Sequence, residues 1–216
     1  MTDMKPTLLV ALALSGAAVL SSSANTSFFV APGFRGQANA DFAGWEVFTS
    51  ATAANAPDIA GSDATATFKQ NTVGAFLTGS GNIYAGPPPT VGSYTVSYDG
   101  ASVLSAVVFQ VRTIGLELDY SSIGLNYGSG SLGAPTRTEL ERAAAGGGPG
   151  AVSVSSSWTW NLTGLNATDV TITFNAATSD VSLDAAHLDV AAVPEPETWA
   201  MISGAGLLAF ALWRRR

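Results

Sequence analysis

The sequence predicts an all-β body, an antiparallel β-sandwich of jelly-roll-like type, between an N-terminal signal peptide and a single C-terminal transmembrane helix. Apolar residues alternate with Ser and Thr at period 2 through the middle of the chain, which places one face of each strand in a core and the other in water. Gly, Pro, Asn and Asp punctuate the gaps, as in Gly86-Pro87-Pro88-Pro89 and Asp99-Gly100. Each end carries an apolar run with basic residues beside it, unlike anything between them. The expected divisions are 1–24 for the signal peptide, 25–192 for the sandwich and 193–216 for a C-terminal signal.

In chain order, Lys5 supplies a positive start and Thr7 to Leu20 is almost wholly apolar. Ser22-Ser23-Ala24 then offers the small residues of a cleavage site before Asn25, the layout of a secretory signal peptide. In the body, Tyr94, Val96 and Tyr98 share one parity. Val107, Val108, Phe109 and Val111 form a denser run, expected of a central strand covered on both faces. Thr138 to Ala145 is the one stretch that reads as a helix: Thr138 and Glu141 have capping-box spacing, and Gly146-Gly147-Gly148 would end it. Val152, Val154, Trp158, Trp160 and Leu162 alternate, as do Val170, Ile172 and Phe174. Val181 and Leu183 have the opposite parity to Leu188 and Val190, so a bulge or corner is expected near Ala185-Ala186. Eight to ten strands in two sheets follow from these segments.

Composition excludes several functions. Between the terminal signals, five basic residues face thirteen acidic ones, a net charge of −8. Nucleic-acid binding, which depends on clustered Lys and Arg, is not expected. The chain has no cysteine, so disulfides, thiolate metal sites and cysteine nucleophiles are absent.

The end of the chain is different in kind. Thr198 to Trp213 is uncharged, and as a helix would span roughly 24 Å. Trp199 and Trp213 sit at the two ends, where indole rings favour a membrane interface. Arg214, Arg215 and Arg216 follow, able to reach lipid headgroups and to stop transfer on the cytoplasmic side. Pro194 and Pro196 break any regular element arriving from the body, leaving an extended peptide suited to a protease cleft.

Val193-Pro194-Glu195-Pro196, the apolar helix and the terminal arginines together resemble the PEP-CTERM sorting signal. The resemblance implies recognition by exosortase, an integral-membrane protease of cysteine type found in Gram-negative bacteria that make exopolysaccharide. It implies export, a transient inner-membrane tether, processing near the Pro-Glu-Pro, and delivery to the cell surface or extracellular matrix. Within the body, FRGQANADFAGWEVFTS, FQVRTIGLELDYSSIGL and DVSLDAAHLDV resemble blocks of a group of PEP-CTERM-bearing proteins of β-sandwich type with no established activity.

Candidates for chemistry are few. His187 is the only histidine, so any Ser-His-Asp arrangement would have to use it; a surface or edge position is expected instead. Glu117 and Asp119 would share one face of a strand, with Leu116 and Leu118 opposite, either as a hydrolytic carboxylate pair or as a solvated acidic edge, the reading preferred. Asp180, Asp184 and Asp189, with Asp41 or Glu46, are candidates for a structural calcium ion. Trp158 and Trp160 should point inward, whereas Tyr84, Tyr120 and Tyr127 are free to line a sugar groove. The expectation is therefore a non-enzymatic, structural or adhesive surface protein held among exopolysaccharides, with no cofactor; a carbohydrate-binding module is the alternative and a secreted glycan hydrolase the distant one.

Overall fold

The computed structural model describes residues 28–86, 90–128, 130–146 and 150–194, together with 210 and 214. The expected signal peptide, 1–24, and nearly all of the expected membrane helix, 198–213, lie outside these residues. The body is all antiparallel β, in two sheets. Its strands are β1 (Ala40–Trp45), β2 (Thr67–Gln70), β3 (Phe76–Leu77), β4 (Ile83–Tyr84), β5 (Ser93–Asp99), β6 (Leu104–Gly115), β7 (Leu118–Tyr127), β8 (Gly130–Leu132), β9 (Thr138–Ala144), β10 (Val152–Asn161), β11 (Asp169–Ala176) and β12 (Val181–Ala192). The short β3, β4 and β8 carried too little alternation to be read from sequence.

The larger sheet runs β3-β4-β12-β6-β10-β9, with β1 also paired to β12; the smaller runs β2-β5-β11-β7-β8. From β4 to β7, each connection crosses from one sheet to the other, as does each from β10 to β12. Residues of both inner faces interleave. Phe109 of β6 meets Phe174 of β11 at 5.3 Å, Trp45 of β1 meets Phe68 of β2 at 5.9 Å, and Trp158 of β10 meets Tyr120 of β7 at 6.1 Å between ring centres. Tyr94, Val96 and Tyr98 point into this core, as do Trp158, Trp160 and Leu162. Each such side chain stabilises the fold by roughly 1.5–3 kcal/mol through removal of apolar surface from water.

β6 is central, and it is covered on both faces as its density implied. Val107, Phe109 and Val111 face the partner sheet, while Val108 and Gln110 on the opposite face are also buried. The cover on that outer face is the segment 28–35, which no periodicity announced. Its Val30 amide donates to Gln110 Oε1 at 2.8 Å and its Val30 carbonyl accepts from Gln110 Nε2 at 2.8 Å. Phe28 lies under the Arg112 guanidinium at 4.0 Å.

The parity break in β12 is a bulge. Its register against β6 shifts between Leu183 and Ala185, so Asp184 is the extra residue, just before the expected position. The slip lets Val181 and Leu183 before it and Ala186, Leu188 and Val190 after it all face the core.

One element is corrected. Thr138 to Ala145 is not a helix: Thr138–Ala144 is edge strand β9, paired antiparallel with β10. An eight-residue helix would be marginal alone and would leave the outer edge of β10 unpaired, so the sheet ladder prevails over the local capping signal. The register shifts opposite Ser155 and Ser156, and nearly every side chain of β9 is exposed. Arg137, Glu139 and Arg142 pair along it, and a charged, bulged edge of this kind resists pairing with another chain.

Candidate sorting site

β12 delivers the chain to the tail. Its last residues lie between β1 on one side and β6 on the other. Ser105 Oγ donates to the Ala191 carbonyl at 3.0 Å. The Ala192 amide donates to the Asn39 carbonyl at 2.7 Å, and Asn39 Nδ2 donates to the Ala192 carbonyl at 2.6 Å. The Val193 amide donates to the Val103 carbonyl at 2.7 Å, after which Val193 and Pro194 are exposed. The proline has no amide to continue the ladder, so pairing stops there. Beside this root opens a cleft of about 380 Å³ lined by residues including Asn39, Asp41, Asp63, Tyr98, Asp99 and Ala192. Its acids come from β1 (Asp41), the end of β5 (Asp99) and the connection before β2 (Asp63), which no local pattern in the sequence brings together.

Of the expected sorting and anchor residues, Glu195, Pro196, Trp199, Trp213, Arg215 and Arg216 lie outside the described residues. Phe210 and Arg214 are helical and exposed. No helix among the described residues is long and apolar enough to cross a membrane.

The calcium candidates do not converge. Asp180 accepts from the Tyr84 hydroxyl. Asp184 accepts from Asn82 Nδ2 at 2.8 Å and Arg112 Nη1 at 2.6 Å. Asp189 is fully buried and takes both arms of the Arg35 fork. Asp41 accepts from the Tyr98 hydroxyl at 2.6 Å, and the Glu46 carboxyl is pushed up by burial and then by the charges of Asp58 and Asp184. Among the described residues, no group of three acidic, His or Cys side chains is placed to hold a metal ion.

His187 is not at the surface or an edge. It is 1% exposed, under Phe29 at 4.2 Å and against Phe42 at 5.0 Å, with neither ring nitrogen hydrogen-bonded. Burial, and then the positive charge of Arg35, hold its pKa down to about 3, so the imidazole is neutral. Burial pushes Asp189 up, against the opposing pull of Arg35.

Glu117 and Asp119 are separately engaged. Glu117 precedes β7 and accepts from both Arg142 Nη atoms at 2.8 Å and from the Tyr120 hydroxyl at 2.5 Å. The Arg142 hydrogen bonds hold its carboxyl down to about 2. Asp119 accepts from the Ser121 hydroxyl and amide, which lower its pKa too. Neither has the raised pKa that a general acid requires. Leu118 faces the core but Leu116 is exposed, because the turn at Gly115 intervenes before β7.

The tyrosines do not share a groove. Tyr84 stands on the larger sheet, 5.2 Å from the half-exposed Phe76 ring, whereas Tyr120 and Tyr127 belong to the smaller sheet and pack against the core. Burial and the Glu117 bond raise the Tyr120 hydroxyl to about 12.

No curated protein and no solved structure matches the chain. A family model does match its end, one residue upstream of the expected start: residues 192–216 fit the PEP-CTERM protein-sorting motif. This supports export and cell-surface sorting through exosortase, a membrane protein. The exposed peptide that leaves β12 at Val193 is thus the start of a PEP-CTERM sorting signal.

Proposed function

We propose that this chain is an exported surface or extracellular-matrix protein whose jelly-roll-like body serves as a structural or adhesive module among exopolysaccharides, without enzymatic activity. The observation that carries the reading is the sorting motif at 192–216, joined to the last strand of a two-sheet body. Export by an N-terminal signal, a transient inner-membrane tether through 198–213 and exosortase processing near Val193-Pro194-Glu195-Pro196 complete the path. The alternation of successive strands between the sheets supports the jelly-roll assignment. The separate engagement of His187, Glu117 and Asp119 favours a non-catalytic role.

The test is mass spectrometry of the protein recovered from its own host. Loss of residues 1–24 and of the tail after the Pro-Glu-Pro region is expected; retention of Trp213 and Arg214–Arg216 in the mature protein overturns the reading. The exposed Phe76 ring beside Tyr84, with Asp180 bonded to the Tyr84 hydroxyl, favours carbohydrate binding as the second reading. Saturable binding of a defined glycan by the same recovered material, lost in Phe76→Ala, would promote it.

A further inference from the structure

The root of the sorting tail has almost no slack. Among the described residues, Val193 is the last before the tail whose amide is held by the body, and Pro194 follows it directly. The uncharged run begins at Thr198, which chain geometry places at most ~18 Å from Val193. β12 itself is a twelve-residue strand inside the larger sheet rather than a frayed edge. A protease that must take several residues on either side of the Pro-Glu-Pro in extended form therefore meets backbone already hydrogen-bonded on the body side. Susceptibility to proteolysis follows the burial and hydrogen bonding of the affected backbone.

The holding groups come from both flanks. On the β1 side, Asn39 exchanges two hydrogen bonds with Ala192, one through its carbonyl and one through Nδ2. On the β6 side, Ser105 Oγ grips the Ala191 carbonyl and the Val103 carbonyl takes the Val193 amide. Asn39 and Ser105 are the two that act through side chains. Neither belongs to the hydrophobic core, since Asn39 precedes β1 and Ser105 is the residue skipped where the register of β6 against β12 shifts between Ala191 and Ala192.

We infer that Asn39 and Ser105 are positioning residues for exosortase processing: they clamp the tail root, and the tail is released at a rate set by how often Ala191–Val193 peels from the sheet. The inference rests on the sorting reading above and adds to it the element of the body that governs the step. When opening and closing are fast relative to cleavage, processing follows the population of the opened root. Removing one net hydrogen bond should raise that population about fivefold.

The experiment is pulse-chase of the full chain in a host that carries an exosortase, reading the fraction of chains that have lost the tail. Four variants are compared with the parent: Asn39→Ala, Ser105→Ala, a six-residue Gly-Ser insertion between Val193 and Pro194, and that insertion combined with Asn39→Ala. The insertion leaves the body sequence untouched, so its result does not depend on how well the substituted bodies fold. Each single substitution should speed release about fivefold; the insertion should speed it further and abolish the effect of Asn39→Ala. Equal rates for the parent, Asn39→Ala and the insertion overturn the clamp and leave the sorting reading standing. Faster release on insertion with no effect of either substitution also overturns the assignment of Asn39 and Ser105. If neither the parent nor the insertion loses its tail, the clamp and the sorting reading fall together.

Discussion

His187 lies among aromatic rings with both nitrogens unpartnered, on the outer face of the larger sheet, two residues from the Asp189–Arg35 pair. Its folded-state pKa, about 3, is below the ~6.5 of an unfolded histidine, so the unfolded chain binds the proton first as pH falls. The contribution of the neutral ring is present in full above pH ~6.5 and is lost progressively down to about pH 3, at up to about 1.4 kcal/mol per pH unit. Asp189, raised by burial, works in the opposite sense, since the folded form takes its proton more readily than the unfolded one. Urea unfolding of the body at pH 7, 5.5 and 4 should therefore show a steeper loss for the parent than for His187→Leu. Parallel losses would mean that the imidazole does not titrate with unfolding. Sequence identified His187 as solitary but placed it wrongly at the surface or an edge, because the rings that cover it, Phe29 and Phe42, are distant in the chain.

β9 and β12 show opposite outcomes at the scale of the element. In β12 the alternation with a phase slip was legible, because burial on both sides of the bulge requires apolar residues at every inward position. In β9 the same kind of reading failed: its side chains are exposed, so no core pattern was available to correct the capping spacing of Thr138 and Glu141. What decides it is the unpaired edge of β10, a partner absent from the local sequence. Amide hydrogen exchange should rank the two strands accordingly. Backbone amides of β6 and β12 should exchange only on global unfolding, and those of β9 should open locally and exchange at least tenfold faster. Comparable protection in β9 and β12 would show that the outer edge is as tightly built as the centre.

For the whole molecule, the body has a third partial layer: residues 28–35 seal the outer face of the larger sheet. Arg35 neutralises the fully buried Asp189 while stacking over Phe42 at 4.0 Å, and Val30 satisfies the buried Gln110 amide. Removing one partner of a buried ion pair costs roughly 3–5 kcal/mol. Starting the body at Gly36 rather than before Phe28 should therefore lower its melting temperature by at least about 6 °C, given ~2–4 °C per kcal/mol for a domain of this size. A melting temperature unchanged by the truncation would show that the layer is ornamental to stability. The same face explains why β6 carries apolar and amide side chains on both sides although the body has only two sheets.

Alternation by itself determined the all-β class, the inward set Tyr94, Val96, Trp158, Trp160, Ile172 and Phe174, and the bulge of β12, because burial against a second sheet acts on every other residue. The sorting motif was legible for a different reason: it is read as a linear peptide, so its information lies in residue order. Tertiary structure alone decided the pairing of β9, the separate partners of Asp180, Asp184 and Asp189, the covering of His187 and the two-sided grip on Ala191–Val193. Each of these depends on groups far apart in the chain, and no local period records which distant neighbour will satisfy a buried donor, acceptor or charge.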